Sequence, residues 1–445
     1  MIHSFKMDDM YGVIDTNSGL VHIVDEIIYD LLNEESYKSE EMLKNIYLKY
    51  GQDITNEAVS EINYLIENKM LYTEETIVGN KIKPAIKAMC LNMAHDCNLK
   101  CEYCFASQGD FKGEKSLMSF EVGKKAFDFL VKSSEKRVNL EVDFFGGEPL
   151  MNFDVIKQLV DYGRSLEKPY NKNFRFTITT NGVLLDDEKI DYINENMSNV
   201  VLSLDGRKST NDRMRKTVND KGSYDVIVKN FQNLIEKRGD KEYHARGTFT
   251  AYNLDFSEDI KHMRELGFKN ISVEPVVAKP EEKYALLHEH VEQLKQEYEK
   301  LAKFYVEARK DSNKEFNFFH FHIDLEGGPC VYKRSIGCGA GTEYVAVTPE
   351  GDYYPCHQFV GEKEFIIGNV DEGVTNVEVV NKFKDVSVND KPTCNKCWAK
   401  YFCSGGCHAN AYNFNKDFKV PYEVGCELQK KRVECSIMIK SKLEN

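Results

Sequence analysis

The chain has 445 residues, room for about three domains at roughly 150 residues each. It is 42% hydrophobic and 29% charged, an ordinary globular composition. Its net charge of −13 argues against a general nucleic-acid binder, whose affinity comes from neutralising phosphates, and no run of about 18 apolar residues is present to span a membrane. The start, MIHSFKMDDM, lacks the basic-then-apolar pattern of a signal peptide, so a reducing, cytoplasmic compartment is expected. Thirteen cysteines, an odd number, do not suit a disulfide scaffold, and clustered thiols in that compartment point to metal or catalysis.

Residues 1–82 contain no cysteine and read as a winged-helix-like module. The stretch YGVIDTNSGLVHIVD predicts two strands around a turn at Asn17-Ser18-Gly19. Ile27, Leu31 and Leu32, then Val59, Ile62, Ile66 and Met70, recur at helical spacing. The polar Gly79-Asn80-Lys81 with Pro84 suits a linker.

Residues 83–312 alternate strands and helices. Strands are predicted at 88–93, 140–145, 174–179, 200–204, 247–251 and 271–276, with amphipathic stretches such as Ala126–Val131 and Tyr224–Ile235 between them. Six such units predict an α/β fold, a partial (β/α)6 TIM barrel, with function at the C-terminal strand ends. A long helix follows, marked by Leu287, Val291, Leu294, Tyr298, Leu301 and Tyr305.

Residues 313–445 are rich in Cys and Gly. His320 and His322 alternate as on a strand face. Glu343–Val347 and Asp352–Tyr354 predict a hairpin around Pro349-Glu350-Gly351, and the end from about 426 reads as helix.

Cys97, Cys101 and Cys104 form Cys-x3-Cys-x2-Cys on a short loop after the first barrel strand. Four thiolates would complete a structural zinc or an ordinary iron–sulfur site, whereas three leave one position open for a small molecule. A zinc reading needs a fourth ligand, with His95 the near candidate. The spacing, with Tyr103 before the last Cys, resembles the radical S-adenosylmethionine (SAM) superfamily. So do Gly146-Gly147-Glu148-Pro149, Thr179-Thr180-Asn181-Gly182 and Ser203-Leu204-Asp205-Gly206, each at a predicted strand end, with Arg215 beyond them.

The resemblance implies a [4Fe–4S] cluster on Cys97, Cys101 and Cys104, its fourth iron chelated by SAM. It also implies a 5′-deoxyadenosyl radical that abstracts hydrogen from a substrate. Glycines 146 and 147 would let backbone approach the ligand closely, and with Glu148 they would hold the SAM amino group. Tyr103 joins the expected SAM site. Asn181 and Ser203 would bond hydroxyls, and Arg215 would pair with the SAM carboxylate unless it is a surface cation. Asp205 would share a ribose role with Ser203 or cap the following turn.

The tail runs Cys338, Gly351-x4-Cys356, Cys394-x2-Cys397-x5-Cys403-x3-Cys407, then Cys426. The Cys394–Cys397 pair alone would pass for a zinc knuckle. The whole series resembles the seven-cysteine SPASM domain of peptide- and protein-modifying enzymes. That implies two auxiliary [4Fe–4S] clusters, three clusters in all. The first takes Cys338, Cys356 and Cys407, and the second takes Cys394, Cys397, Cys403 and Cys426. One iron of the first remains for Cys330 or for a substrate thiolate. Cys90 and Cys435 read as buried structural thiols. His357 and His408 neighbour cluster cysteines and suit either outer-shell hydrogen bonding or the surface.

A hairpin with short helices ahead of these parts resembles the peptide-recognition element of ribosomal-peptide maturases, whose edge strand pairs with a leader peptide. A DNA-binding regulator would share the shape, but the acidic residues Glu34, Glu35, Glu40 and Glu41 oppose it. Together the three parts most resemble thioether-forming sactisynthases of six-cysteine SCIFF peptides. The resemblance implies a Cys-rich precursor peptide as partner, a reducing electron donor of flavodoxin or ferredoxin type, and oxidoreductase chemistry. Formylglycine formation, carbon–carbon crosslinking and a non-enzymatic metal regulator are the competing readings.

Overall fold

The computed structural model describes residues 1–33, 36–75, 85–312, 314–323 and 335–444. Cys330 and most of the expected linker lie outside the described residues.

The N-terminal module has three antiparallel strands in the order β1 (Ile2–Met7), β2 (Met10–Asp15), β3 (Val21–Val24). The predicted turn joins β2 and β3. Asp15, fully buried, accepts from the backbone and hydroxyl of Ser18, and Gly19 takes a φ of 74°. β1 was not anticipated. Three helices, Glu26–Asn33, Glu40–Tyr50 and Gln52–Glu67, pack Ile28, Leu31, Leu32 and Ile62 against Val13.

The middle of the chain forms the expected parallel sheet. Its strands are β4 (Ala88–Ala94), β6 (Asn139–Gly146), β7 (Asn173–Thr180), β8 (Asn199–Ser203), β10 (His244–Phe249) and β11 (Asn270–Pro275), adjacent in that order. In β6, Leu140, Val142 and Phe144 are fully buried, while Asp143 and Phe145 on the other face are half-buried. That period of two buries one apolar face under helices such as Phe120–Ser133 and Phe153–Tyr170. The fifth strand starts and ends earlier than predicted. It stops because Asn253 accepts from the Thr250 backbone and hydroxyl, turning the chain there.

A short antiparallel pair, β5 (Leu99–Cys101) with β9 (Arg215–Thr217), was also not predicted. Downstream, β12 is only Asn317–Phe318 and lies parallel to β11. The backbone then coils through Phe319–Phe321 as a single 3-10 turn, so His320 and His322 are not on a strand face. β13 (Tyr344–Val347) and β14 (Asp352–Tyr354) form the expected hairpin, with Gly351 at φ 96°. β13 also pairs parallel with β4 and so extends the barrel sheet, and β15 (Gly368–Asn369) and β16 (Gly373–Val374) complete it. The last helix, Glu423–Glu444, packs along Val291–Arg309. Cys90 and Cys435 are buried as expected. No described helix is long and apolar enough to cross a membrane.

Candidate active site and cluster ligands

The C-terminal strand ends open onto one chamber of about 770 Å³. Cys97, Cys101 and Cys104 line it together with Cys338, Cys403, Cys407 and Cys426. The two cysteine-rich parts of the sequence therefore share a single cavity.

The first triplet is positioned from three sides. Cys101 stands opposite Arg215 in the β5–β9 pair. The Leu99 backbone N–H lies 3.5 Å from Cys97 Sγ, and Asn181 Nδ2 lies 3.7 Å from the same sulfur. Asn181 also donates to Asn98 Oδ1 at 2.7 Å. The Gly-Gly-Glu loop packs on the backbone just before Cys97: Gly147 N–H donates to Ala94 O at 2.8 Å and Glu148 N–H to Asp96 O at 2.9 Å. A Cβ on Gly147 would sit 2.0 Å from Asp96 O, and one on Gly146, at φ 126°, 2.5 Å from Ala94 O. Only glycine fits both positions. Gly109 is held likewise: a Cβ there would sit 2.7 Å from the Cys97 Cβ, a requirement the sequence did not announce.

Seven of the eight residues expected at SAM line the chamber: Tyr103, Gly146, Gly147, Glu148, Asn181, Ser203 and Arg215. Asp205 does not line it. Its fully buried carboxylate accepts from Tyr103 Oη at 2.6 and 2.9 Å and from Thr248 N at 3.0 Å, and Arg215 Nε lies 3.1 Å away. Asp205, for which a ribose role beside Ser203 was expected, instead faces Tyr103, Arg215 and Thr248 behind the chamber wall. It anchors Tyr103 and Arg215, whose guanidinium sits 5.5 Å over the Tyr103 ring. Arg215 is no surface cation. Its Nε faces Asp205 Oδ1, and the residue lines the chamber.

Glu148 is buried and accepts from Leu150 N, Thr180 Oγ1 and Asn181 N. It thus ties the second strand end to the third. Burial outweighs these bonds and pushes its carboxyl up to about 7. A ligand ammonium beside it would restore the carboxylate.

The tail cysteines fall into two neighbourhoods. Burial pushes the Cys356 thiol far up, and the nearby Cys407 and Cys338 add to this. Cys426, pushed up to about 12 by burial, has Cys403, Cys394 and Cys397 as neighbours. All twelve cysteines among the described residues are free thiols. Cys338 is exposed, and His357, next to Cys356, faces the chamber while bonding Tyr344 Oη at 3.0 Å. His408 is buried with neither ring nitrogen bonded. His95 does not line the chamber; it lies against Phe111 and near Asn92.

Among the described residues, no three His, Cys, Asp or Glu side chains converge closely enough for one metal ion. A four-iron cluster needs thiols spaced wider than that. Three chamber-facing thiols, with N–H groups aimed at Cys97 Sγ, suit such a cluster with one iron left for a ligand. The donor set therefore fits the iron–sulfur and SAM chemistry expected of it.

Sequence reasoning missed Arg246, Glu274 and Arg432 in the same chamber. The signal existed for two of them: Arg246 and Glu274 are charged residues set among buried ones within parallel strands.

Comparison with known proteins agrees with this architecture. Residues 91–266 match the model of the radical SAM superfamily, and residues 338–398 match that of SPASM, an iron–sulfur cluster-binding domain. The chain is a radical SAM protein carrying a C-terminal SPASM domain. The cysteine-type anaerobic sulfatase-maturating enzyme of Clostridium novyi is 28% identical over 349 residues, covering 74% of this chain and 87% of that one. The solved structure of native anSMEcpe with bound AdoMet superposes with a TM-score of 0.67 at 21% identity, over 81% of this chain and all of that one. Streptococcus suis SuiB bound to precursor peptide SuiA gives 0.56 at 15%, over 95% of this chain and 98% of that one. At these identities the two structures establish the fold alone.

Proposed function

We propose that the chain is a peptide maturase that installs Cys-derived thioether crosslinks in a ribosomally made, Cys-rich precursor. The observation that carries this reading is the neighbourhood of Cys338, Cys356 and Cys407. It offers Cys338 and Cys407 on a chamber shared with the Cys97 triplet, with Cys356 beside them, and Cys338 is exposed. Three thiols leave one iron of a four-iron cluster for Cys330 or for a substrate thiolate. The SPASM match and the precursor-bound SuiB relative support a peptide substrate.

On this reading Cys97, Cys101 and Cys104 hold the first cluster. Cys338, Cys356 and Cys407 hold one auxiliary cluster, and Cys394, Cys397, Cys403 and Cys426 the other. SAM, when bound, supplies a 5′-deoxyadenosyl radical for hydrogen abstraction. The chain's own residues orient and shield. The loop at Gly146 and Gly147 brings backbone close to the ligand. Glu148 takes its ammonium, Arg215 its carboxylate and Ser203 a hydroxyl. Asp205 holds Tyr103 and Arg215 in place. The N-terminal module docks the leader at the free edge of β3, where Ile23 is half exposed.

Each thioether removes two hydrogens from the peptide, so mass analysis of a coexpressed precursor tests the proposal. An unchanged peptide mass would sink it. A second reading, formylglycine formation, is favoured by the likeness to the sulfatase-maturating enzyme. It would give an aldehyde that reacts with a hydrazide probe, which a thioether does not.

A further inference from the structure

The chamber wall built by β10, β11 and the last helix carries charge that the SAM motifs do not use. Arg246 Nη2 donates to Glu274 Oε2 at 2.6 Å, across neighbouring strands. Arg432 Nη1 donates to His320 Nδ1 at 3.1 Å. That makes Nε2 the protonated nitrogen of His320, beside Ser272 Oγ at 3.1 Å and Glu274 Oε1 at 3.9 Å. Burial, then Arg432, presses the His320 imidazole down to about 3, so it is neutral at physiological pH. Burial opposes ionisation of Glu274, but Arg246, His320 and Arg432 together outweigh it and bring the carboxyl down to about 2.

The wall therefore holds two guanidiniums and one carboxylate, a surplus of one positive charge. Arg432 Nε is buried without an acceptor. The side chains of Arg246 and Glu274 remain 51% and 41% exposed, in the chamber they line. Buried donors and unpaired cations are costly unless something accepts them. A carboxylate entering the chamber fits this surplus, since guanidinium groups pair with carboxylates by parallel hydrogen bonds.

We propose that Arg246 and Arg432, set around Glu274, form a subsite for one carboxylate of the peptide substrate. This carboxylate is either an acidic side chain beside the modified residue or the peptide's free C terminus. The proposal rests on the peptide-modifying reading given above and adds a sequence preference to it.

The test uses the full chain with clusters reconstituted and SAM present, and three fluorescein-labelled pentapeptides read by anisotropy. One is Gly-Gly-Asp-Cys-Gly amide, the second replaces Asp by Asn, and the third is that Asn peptide as the free acid. The Asp amide or the Asn acid should bind at least about 10-fold more tightly than the Asn amide, the scale of a charge-assisted pair. Which of the two gains identifies the carboxylate's source. Arg246→Gln and Arg432→Gln should each erase the gain. Glu274→Gln should enlarge it, because the competing anion is gone. A purely structural ion pair predicts the opposite, with Glu274→Gln behaving like the arginine variants, and that result overturns the subsite. Equal binding of the three peptides overturns it too, including the case where the variants shift only the absorption of the clusters. Reductive cleavage of SAM without peptide is measured in parallel. Its absence in the unmodified chain would count against the proposed function and not against the subsite.

Discussion

The imidazole of His3 lies flat on the indole of Trp398, with ring centroids 3.8 Å apart and 3° between the planes. His3 belongs to β1, and Trp398 directly follows Cys397. The N-terminal module thus rests on the loop that carries three cysteines of the second tail set. His3 Nε2 also meets Glu434 at 2.9 Å, and Glu75, at the far end of the module, accepts from Lys400 and Tyr401 of the same loop.

Trp398→Ala is expected to loosen this seat. A stacked aromatic pair contributes about 0.5–1.5 kcal/mol beyond buried area, so amide exchange in β1 should speed up by about 3- to 10-fold. Hydrogen-exchange mass spectrometry checks it, with His3→Ala expected to match.

A subtler change than deletion is needed to test leader docking, because removing the module would strip Trp398, Lys400 and Tyr401 of partners. Ile23→Glu leaves those contacts in place and puts a charge on the exposed edge strand. It should weaken leader binding by about 10-fold, the effect of roughly 1.4 kcal/mol, in a fluorescence titration with the leader segment alone.

Gly147→Ala should weaken SAM binding by at least about 10-fold, since overpacking of this kind costs about 1–3 kcal/mol. The added carbon would meet Asp96 O at 2.0 Å and push the loop of Cys97 aside. Equilibrium dialysis with radiolabelled SAM measures it, and unchanged affinity would place SAM elsewhere.

Iron counting separates the three ligand sets. The reconstituted chain should hold about twelve irons, and Cys97→Ala combined with Cys101→Ala about eight. Cys394→Ala combined with Cys426→Ala should also give about eight, yet only the first pair should abolish SAM cleavage. Zinc in place of iron would end the cluster reading.

The metal-free chain should lose stability in alkali. Burial pushes Cys97 to about 12 and Cys101 to about 11, from an ordinary value of 9.0. Thiols raised by folding stabilise the fold below pH 9, and that contribution is lost as pH climbs through 11 and 12. The slope is about 1.4 kcal/mol per pH unit for each thiol. Thermal melts across this range should fall less steeply after Cys97→Ser and Cys101→Ser. A cluster-loaded chain, whose ligands are thiolates throughout, should lack the dependence.

The six barrel strands were legible because each repeats the same local pattern, a short apolar run followed by an amphipathic helix. The cysteine motifs and the Gly-Gly-Glu loop were legible because their chemistry demands a fixed spacing. What stayed hidden is set by pairing over long sequence distances. Leu99–Cys101 becomes a strand only because Arg215–Thr217 lies beside it. Asp205 meets Tyr103, 102 residues away, a contact no local pattern announces. Arg432 gained a role only when its helix was laid against the chamber. Local propensity carries no trace of such contacts.

The parallel pairing of β4 with β13 has a consequence for how the protein is made. Met89 stands opposite Val345, so one edge of the first barrel strand stays bare until most of the chain has been translated. At about 5–20 residues per second the wait is roughly 10–50 s. Throughout it the nascent barrel offers an unpaired, apolar strand to any neighbour on the same messenger, a hazard that ends only when the C-terminal hairpin leaves the ribosome.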